Sequence, residues 1–202
     1  MGRPPLDPDR PATPARILAS ALRIFARDGY AAARLADIAR GAEVTRPSLL
    51  YHFRSKHVLY EAVVRGSFAR VGAALAEAMV EPAPFPERLR RVAETYAREL
   101  ANQPEDARIV VSEMMGAEGP GLPILLEEVT PLLDRVVAFV ETADPAMLRP
   151  DLDIRAAVLQ VAADVLLQHA ATAPVQQAMW GTPSPARTGR LTAQLLLAEE
   201  VA

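Results

Sequence analysis

Apolar residues recur at helical spacing along most of the chain, and the first clear stripe extends from Ile17 to Phe25. Thr13-Pro14 precedes this stripe in the pattern of an N-cap followed by proline in the first turn. Asp28-Gly29 follows it, and glycine is common just past a helix C-terminus, where the backbone turns left-handed. The pattern predicts a first helix from about residue 13 to residue 28.

Two short apolar-periodic segments follow, at 35–42 and 46–53, with only three residues between them. They predict two short helices joined by a tight turn. Thr45 is placed to cap the second helix with its hydroxyl, and Pro47 is tolerated because first-turn amides have no partner within the helix. Ser55 is placed to cap a longer helix that continues to about residue 80.

The rest of the chain predicts helices only, since no segment alternates between apolar and polar residues as a half-buried strand does. Pro131 should kink or split its helix. We therefore predict an all-α fold, in which a three-helix helix-turn-helix domain at 13–55 precedes a larger helical-bundle domain at 56–202. Residues 1–12, rich in proline and charge, are predicted to form a flexible basic arm. After the helix that ends at about residue 80, further helices are expected at about 86–102, 104–116, 122–142, 151–173 and 184–200.

Charge is distributed unevenly, although 22 basic and 25 acidic residues give the whole chain a formal charge of only −3. Residues 1–60 have a net charge of +5, and residues 61–202 have a net charge of −8. The N-terminal part therefore suits a negatively charged partner such as nucleic acid, and the two parts are expected to meet different partners.

The absence of cysteine excludes a disulfide scaffold, a thiol nucleophile and any site in which cysteine binds zinc or an iron–sulfur cluster. We predict no metal site and no cofactor. The first residues contain prolines and charges where a signal peptide requires an apolar run, and glutamines, a histidine and prolines interrupt the uncharged stretch at 165–186. We expect a soluble cytoplasmic protein.

The segment from Leu35 to Phe53 has the form of a helix-turn-helix. Ala39 would lie where its two helices cross, because a larger side chain would push them apart. Hydrogen-bond donors and a planar ring then remain on the outer side of the second helix, where a major groove accepts them. These outer side chains are Arg46, Ser48, Tyr51 and His52.

Residues 16–60 resemble the DNA-binding domain of the TetR family of bacterial transcriptional regulators. The motifs that carry the resemblance are Gly29-Tyr30, Asp37-Ile38-Ala39, Tyr51-His52-Phe53 and Ser55-Lys56. The resemblance implies that the remaining length forms a ligand-binding and dimerisation domain.

The resemblance also implies roles for individual residues. Arg46 and Ser48 sit where the recognition helix of the family addresses base edges. Tyr51 and His52 sit where rings approach bases or phosphate. Lys56 and Arg34 are expected to position the duplex rather than read its sequence. The full set of predicted DNA-binding residues is Arg34, Thr45, Arg46, Pro47, Ser48, Tyr51, His52 and Lys56.

Three positions depart from the family pattern. Glu43 occupies a turn position where glycine is frequent, and it should cost about 1 kcal/mol if the turn requires a positive φ. Ala33 stands where threonine often supplies a hydroxyl, and Leu50 stands where a second aromatic is frequent. These departures put individual DNA contacts in doubt without affecting the predicted fold.

The larger domain offers candidate contacts for an effector and for a second copy of the chain. The helix at 151–173 is apolar on more than one face, so one face can cover the core and another a partner, unless the helix is buried wholly within one subunit. The candidate ligand contacts are Phe68, Tyr96, Met114, Met115, Phe139, Gln168, His169 and Trp180. The candidate dimer contacts are Leu159, Ala163, Leu166, Ala170, Leu191 and Leu195.

These observations lead to the hypothesis of a homodimeric repressor that binds palindromic double-stranded operator DNA and releases it when an apolar or mixed small molecule binds. Two alternatives stay open at this point. One is a DNA-binding regulator or architectural protein without small-molecule control. The other is an all-α hydrolase or lyase, although no Ser/His/Asp or paired-carboxylate spacing stands out, and we predict that the protein is not an enzyme.

Overall fold

The structure is a computed structural model that describes residues 11–116 and 120–198. The described residues form ten α-helices and one short 3-10 helix, without a strand, which confirms the predicted all-α fold. The predicted arm at 1–12 lies outside the described residues except for its last two. The helices are α1 Thr13–Ala32, α2 Leu35–Gly41, α3 Arg46–His52, α4 Lys56–Val80, α5 Phe85–Asn102, α6 Pro104–Met114, α7 Gly121–Glu141, the 3-10 helix Pro145–Met147, α8 Ile154–Ala170, α9 Ala173–Trp180 and α10 Pro185–Leu196.

Side-chain caps fix the beginnings of the two helices that matter most for the N-terminal domain. The Thr45 hydroxyl accepts a hydrogen bond from the Ser48 amide at 3.2 Å, and the Ser55 hydroxyl accepts one from the Val58 amide at 3.2 Å. Both caps were predicted and are confirmed. Gly29 interrupts α1 with a φ of +72°, as expected for the glycine that ends the apolar stripe.

Other local predictions were wrong. Thr13 is the first helical residue and Ala12 is the N-cap, so Thr13 provides no side-chain cap. The α7 helix is not split at Pro131, which lies on its exposed side, where a carbonyl that has lost its amide partner can be solvated, whereas the kink expected there stays a prediction. The segment at 151–173 begins late, because Asp153 caps α8 by accepting a hydrogen bond from the Ala156 amide at 2.9 Å. The short α9 and the 3-10 helix were not predicted.

The interior contains two main apolar clusters, and α4 contributes to both. The first cluster joins α1, α2 and α3 to the beginning of α4, where Leu59 and Val63 are buried. It also includes Ile109 of α6 and Ile124 of α7. The second cluster joins the end of α4 to α5, α7, α8 and α10. The predicted boundary at residue 55 therefore coincides with the start of a helix whose first turns pack in the N-terminal core.

A buried hydrogen bond fixes the contact between α1 and α2. The Ser20 hydroxyl donates to the Ile38 carbonyl at 2.9 Å, within the first cluster. Gly41 allows this close approach, because a Cβ there would lie 2.4 Å from the Ser20 hydroxyl oxygen. The position of α2, and through it that of α3, therefore depends on two small residues that the apolar pattern did not single out.

Candidate nucleic-acid interface and ligand cavity

The α3 helix is anchored on one side and unpartnered on the other. Leu49 is fully buried, whereas Arg46, Pro47 and His52 are exposed and Tyr51 is 84% exposed. The rings of Tyr51 and His52 contact each other edge to face, with 5.3 Å between their centroids. A tyrosine that is this exposed beside basic side chains is typical of a binding surface, since it contributes little to the core.

The helix N-termini beside this surface carry further polar groups. Thr45 is exposed and Ser48 is half-buried, and the hydrogen bond between the Ser48 amide and the Thr45 hydroxyl oxygen leaves both hydroxyl protons free to donate. Arg34 is the exposed N-cap residue of α2, and its carbonyl accepts hydrogen bonds from the amides of Asp37 and Ile38. Arginine side chains therefore lie at the start of both helices of the helix-turn-helix.

Lys56, which was expected to position the duplex, also has a partner within the chain. Its Nζ donates to the Ala31 carbonyl at 3.0 Å and lies 4.6 Å from the centroid of the Tyr30 ring. Partial burial lowers the pKa of Lys56 from its ordinary value. Lys56 therefore joins the end of α1 to the start of α4, and only its remaining N–H groups are available for a phosphate.

The three departures from the family pattern have distinct positions. Glu43 has a φ of +54° in the turn between α2 and α3, so a non-glycine residue does occupy a left-handed conformation there. Ala33 is buried, and its side chain presents no group to the outer surface. Leu50 is half-buried and packs against the first cluster, so it contributes to the core and does not replace the outward aromatic ring that is frequent at this position in the family.

A cavity of about 450 Å³ lies among α4, α5, α6, α7, α8 and α10. Its wall is mainly aliphatic, with long contributions from α7 such as Leu125, Val129 and Val136. Several wall residues are also exposed, so the cavity is open to solvent; these are Met114, Leu122, Leu126 and Leu159. This volume falls within the range of small-molecule sites in proteins.

The structure brings together three of the predicted ligand contacts and separates the others. Phe68, Tyr96 and Met114 lie in the cavity wall. The remaining five lie outside it for different reasons. Met115 is exposed past the end of α6, Phe139 packs against Phe85, Gln168 and His169 are buried away from the cavity, and the Trp180 Nε1 donates to Asp164 at 2.9 Å.

His169 illustrates why buried polarity alone was a poor guide. It is buried on α8, and burial lowers the pKa of its imidazole. Sequence analysis also missed the aliphatic wall residues of α7. Their helical spacing is the same as that of ordinary core residues, and only the packing of six helices shows that they enclose a cavity.

A few polar groups interrupt the apolar wall of the cavity. The Ser67 hydroxyl lies 2.7 Å from a carboxylate oxygen of Asp106, and the guanidinium of Arg70 pairs with the other carboxylate oxygen. Arg70 also lies 3.5 Å from Glu99. The Tyr96 hydroxyl lies 3.4 Å from the Ala162 carbonyl oxygen, and burial raises the pKa of Tyr96.

A buried contact connects the cavity region to the N-terminal domain. The Tyr60 hydroxyl of α4 donates to the Glu113 carboxylate of α6 at 2.5 Å, next to Met114 in the cavity wall. The Tyr60 ring also contacts Phe25 and Tyr30 of α1, with centroids 4.8 Å and 5.0 Å away. Burial, with a contribution from Glu113, raises the pKa of Tyr60. The α4 helix is therefore linked on one side to the cavity and on the other to α1.

The α8 and α10 helices leave an apolar face uncovered. Leu159 of α8 is 45% exposed, while Leu191 and Leu195 of α10 are 48% and 44% exposed. Ala163 is exposed on the same helix, and both Leu159 and Ala163 also border the cavity. Leu166 and Ala170 are only partly exposed and pack against the subunit's own Leu100 and Ala107 cluster, so less of their surface is available to a second copy.

Within residues 11–116 and 120–198, no three histidine, aspartate or glutamate side chains converge as a metal-binding group would. Among the same residues, no helix is long and apolar enough to cross a membrane.

Comparison with known proteins identifies the N-terminal domain. Residues 17–63 match the family described as bacterial regulatory proteins, tetR family. The chain is 33% identical over 117 residues to the HTH-type transcriptional regulator RutR of Escherichia coli K12, which covers 56% of this chain and 51% of RutR. It is 38% identical over 53 residues to the negative transcriptional regulator IcaR of the icaADBC biofilm operon of Staphylococcus aureus strain Newman, which covers 26% of this chain and 28% of IcaR.

The fold of the whole chain also has solved counterparts. The ketosteroid transcriptional regulator KstR2 of Mycobacterium tuberculosis superposes with a TM-score of 0.75 at 19% identity, which covers 95% of this chain and 98% of KstR2. By sequence, the chain spans only about half the length of RutR. The N-terminal residues 17–63 therefore match the tetR family of bacterial regulatory proteins, and the whole chain shares the all-α fold of KstR2.

Proposed function

We propose that this protein is a ligand-responsive transcriptional repressor that binds palindromic operator DNA as a homodimer and is released by a small molecule. The observation that carries the proposal is the outer side of α3, where Arg46, Tyr51 and His52 are exposed on a helix anchored by buried Leu49. A helix held in this way presents its side chains at fixed spacing to a major groove.

Electrostatics favours the same side of the molecule. The first 60 residues have a net charge of +5 in a chain whose total is −3. Basic side chains gain affinity for DNA by releasing the counterions condensed on phosphate. The acidic remainder of the chain would be repelled from the duplex, so only the N-terminal domain is expected to approach it.

Control by a small molecule is favoured over a purely architectural role by the cavity. A domain that only spaced or bent DNA would need no internal volume of about 450 Å³ with an apolar wall. A ligand releases the DNA only if it binds the DNA-incompetent arrangement more tightly than the competent one.

The α4 helix is the proposed lever between the two sites. It contributes Ser67, Phe68 and Val71 to the cavity wall, and its Tyr60 bonds to Glu113 of the adjoining α6. Movement of α4 would change the separation of two recognition helices, which must match successive major grooves about 34–36 Å apart.

Homodimer formation is proposed from the uncovered apolar face. The exposed apolar residues on these two helices are Leu159 and Ala163 of α8 and Leu191 and Leu195 of α10. A second copy of the chain would remove them from water. Two helices from each copy would then make a four-helix interface. The description of IcaR as a negative regulator supports repression rather than activation.

Selection of binding sites from a random DNA pool tests the proposal. The full chain should enrich a palindrome whose half-sites are centred about 10 base pairs apart or a multiple of that spacing. The selected DNA should also occur upstream of the gene or of a neighbouring gene. Failure to enrich any sequence over the starting pool at physiological salt would reject a sequence-specific regulator.

A further inference from the structure

The cavity wall lacks the basic side chains that a binding site for an anion would need. Among the described residues that line it, Asp106 is the only one with an ordinarily charged side chain, and no lysine, arginine or histidine is present. The other polar members are the hydroxyls of Ser67, Tyr96 and Thr192. A buried carboxylate or phosphate on a ligand would therefore find no cation in the wall to offset its lost hydration.

The carboxylate of Asp106 is already paired from behind the wall. Arg70 and the Ser67 hydroxyl both approach it, although Arg70 is itself shared with Glu99. Two carboxylates thus share one guanidinium, which leaves the cavity wall beside Asp106 repulsive to anions. A cationic ligand would gain from the excess negative charge, but it would have to compete with Arg70 and give up its own hydration.

The Tyr96 hydroxyl is the polar group with the most spare capacity. Its distance of 3.4 Å to the Ala162 carbonyl oxygen is long for a hydroxyl donor, which usually lies about 2.7–2.8 Å from its acceptor. The Thr192 hydroxyl, in contrast, donates to the Thr188 carbonyl at 2.8 Å. A ligand oxygen or nitrogen could therefore form a shorter bond to Tyr96 without breaking a strong internal one.

We propose that the effector is an uncharged, mainly apolar molecule whose hydrogen-bonding group contacts Tyr96, and that anions of the same size are rejected. This inference rests on the proposed role of the cavity as the effector site. It goes further by assigning a ligand class and the residue that selects its polar group.

Calorimetric titration of the full chain, without DNA, with three ten-carbon probes at pH 7.5 tests the head-group preference. 1-Decanol should bind at least tenfold more tightly than decanoate or decylammonium, since only the alcohol enters the apolar wall without burying a charge. Decanoate or decylammonium binding as tightly as decanol would overturn the proposal. Absence of binding by all three probes would overturn both the ligand class and the cavity as an effector site. It would not affect the proposed DNA binding, which the selection experiment measures independently.

Substitution of Tyr96 tests the selecting residue. Tyr96→Phe should weaken decanol binding at least fivefold and leave the affinity for decanoate unchanged. Tyr30→Phe is the matched control, because it removes the same hydroxyl outside the cavity and should leave both affinities as in the parent chain. An equal loss for decanol and decanoate, or no loss for decanol, would refute the assigned contact. Far-ultraviolet circular dichroism of each variant checks that the fold is retained.

Discussion

Removal of the Tyr60 hydroxyl should destabilise the protein more than its size suggests. Tyr60 and Glu113 are both buried, and the hydroxyl donates to one carboxylate oxygen at 2.5 Å. The other carboxylate oxygen of Glu113 has no hydrogen-bond partner among the described residues. Tyr60→Phe would therefore leave the buried Glu113 carboxylate without a hydrogen bond from any described residue.

The expected cost follows from the charge of the acceptor. A hydrogen bond to an ionised group contributes about 1.5–3 kcal/mol, and a buried group left unpaired keeps its full desolvation cost. We expect Tyr60→Phe to lower the free energy of unfolding by roughly 2 kcal/mol, which corresponds to about 4–8 °C in Tm for a chain of this length. Urea unfolding at pH 7.5, followed by circular dichroism, measures this change.

Tyr30→Phe provides the matched control for the same experiment. Tyr30 lies in the same aromatic cluster, with its ring 5.0 Å from that of Tyr60, but its hydroxyl makes no described hydrogen bond. It should cost less than about 0.5 kcal/mol. Equal costs for the two variants would refute the assignment of the stabilisation to the bond with Glu113.

The pH dependence gives a second readout of Tyr60. Burial raises the pKa of Tyr60 above its ordinary value of 10.0, so the folded state favours the neutral phenol. The stability gained in this way is present below pH 10 and is lost as the pH rises above it, because only the unfolded chain ionises readily there. Tyr60→Phe should make the fall of the unfolding free energy above pH 10 less steep, by up to about 1.4 kcal/mol per pH unit, which corresponds to one proton.

Three further predictions address other parts of the molecule. Burial lowers the pKa of His169 from 6.5, so the neutral imidazole stabilises the folded chain above that pH, and this contribution is lost as the pH falls below 6.5. His169→Gln should therefore reduce the loss of stability, measured by urea unfolding, between pH 7.5 and 5.5. An unchanged loss would contradict this. Gly41→Ala should cost about 1–3 kcal/mol by thermal melting, because its Cβ would lie 2.4 Å from a buried serine hydroxyl, whereas Gly66→Ala has open space and should gain about 0.5–1 kcal/mol. Leu191→Glu should convert a dimer of twice 21.8 kDa to a monomer in light scattering, with the equally exposed Val175→Glu of α9 as the control; a dimer in both variants would remove α10 from the interface.

The elements of the N-terminal domain were predictable because each is specified by neighbouring residues. Thr45 and Ser55 cap helices through hydrogen bonds that reach only three residues along the chain. The outer position of Tyr51 follows from the burial of Leu49 two residues earlier, on the opposite side of the helix, and Arg46 is exposed as the first residue of α3. Local pattern therefore predicted both the helices and the side chains that they expose.

The cavity and the details of the interface depend on contacts between distant segments. The Ser20 hydroxyl meets Ile38, and Tyr60 meets Glu113 across 53 positions of sequence. Lys56 folds back on Ala31 instead of extending from its helix. No periodicity in the sequence encodes these distances, so the residues that line the cavity were the least predictable part of the molecule.

The helical phase of α8 shows the same limitation more simply. Leu159 and Leu166 belong to one predicted stripe and both border the cavity, yet Leu159 is 45% exposed whereas Leu166 also packs against the Leu100 cluster. An apolar stripe wider than one helix face can be divided between core and surface in more than one way. Only the position of the neighbouring Leu100 cluster decides which residues face inward.

The most direct measurement of the central claim is fluorescence anisotropy of the full chain with the selected operator and with a scrambled duplex at physiological salt. The parent chain should prefer the operator by at least about 10³-fold. Arg46→Ala should reduce this preference by roughly 5- to 150-fold per half-site, while Lys56→Ala should weaken both duplexes alike and flatten the salt dependence. Arg98→Ala, an exposed arginine of α5, should change neither. Equal affinity of the parent chain for the two duplexes would contradict the account, and so would an unchanged preference in Arg46→Ala.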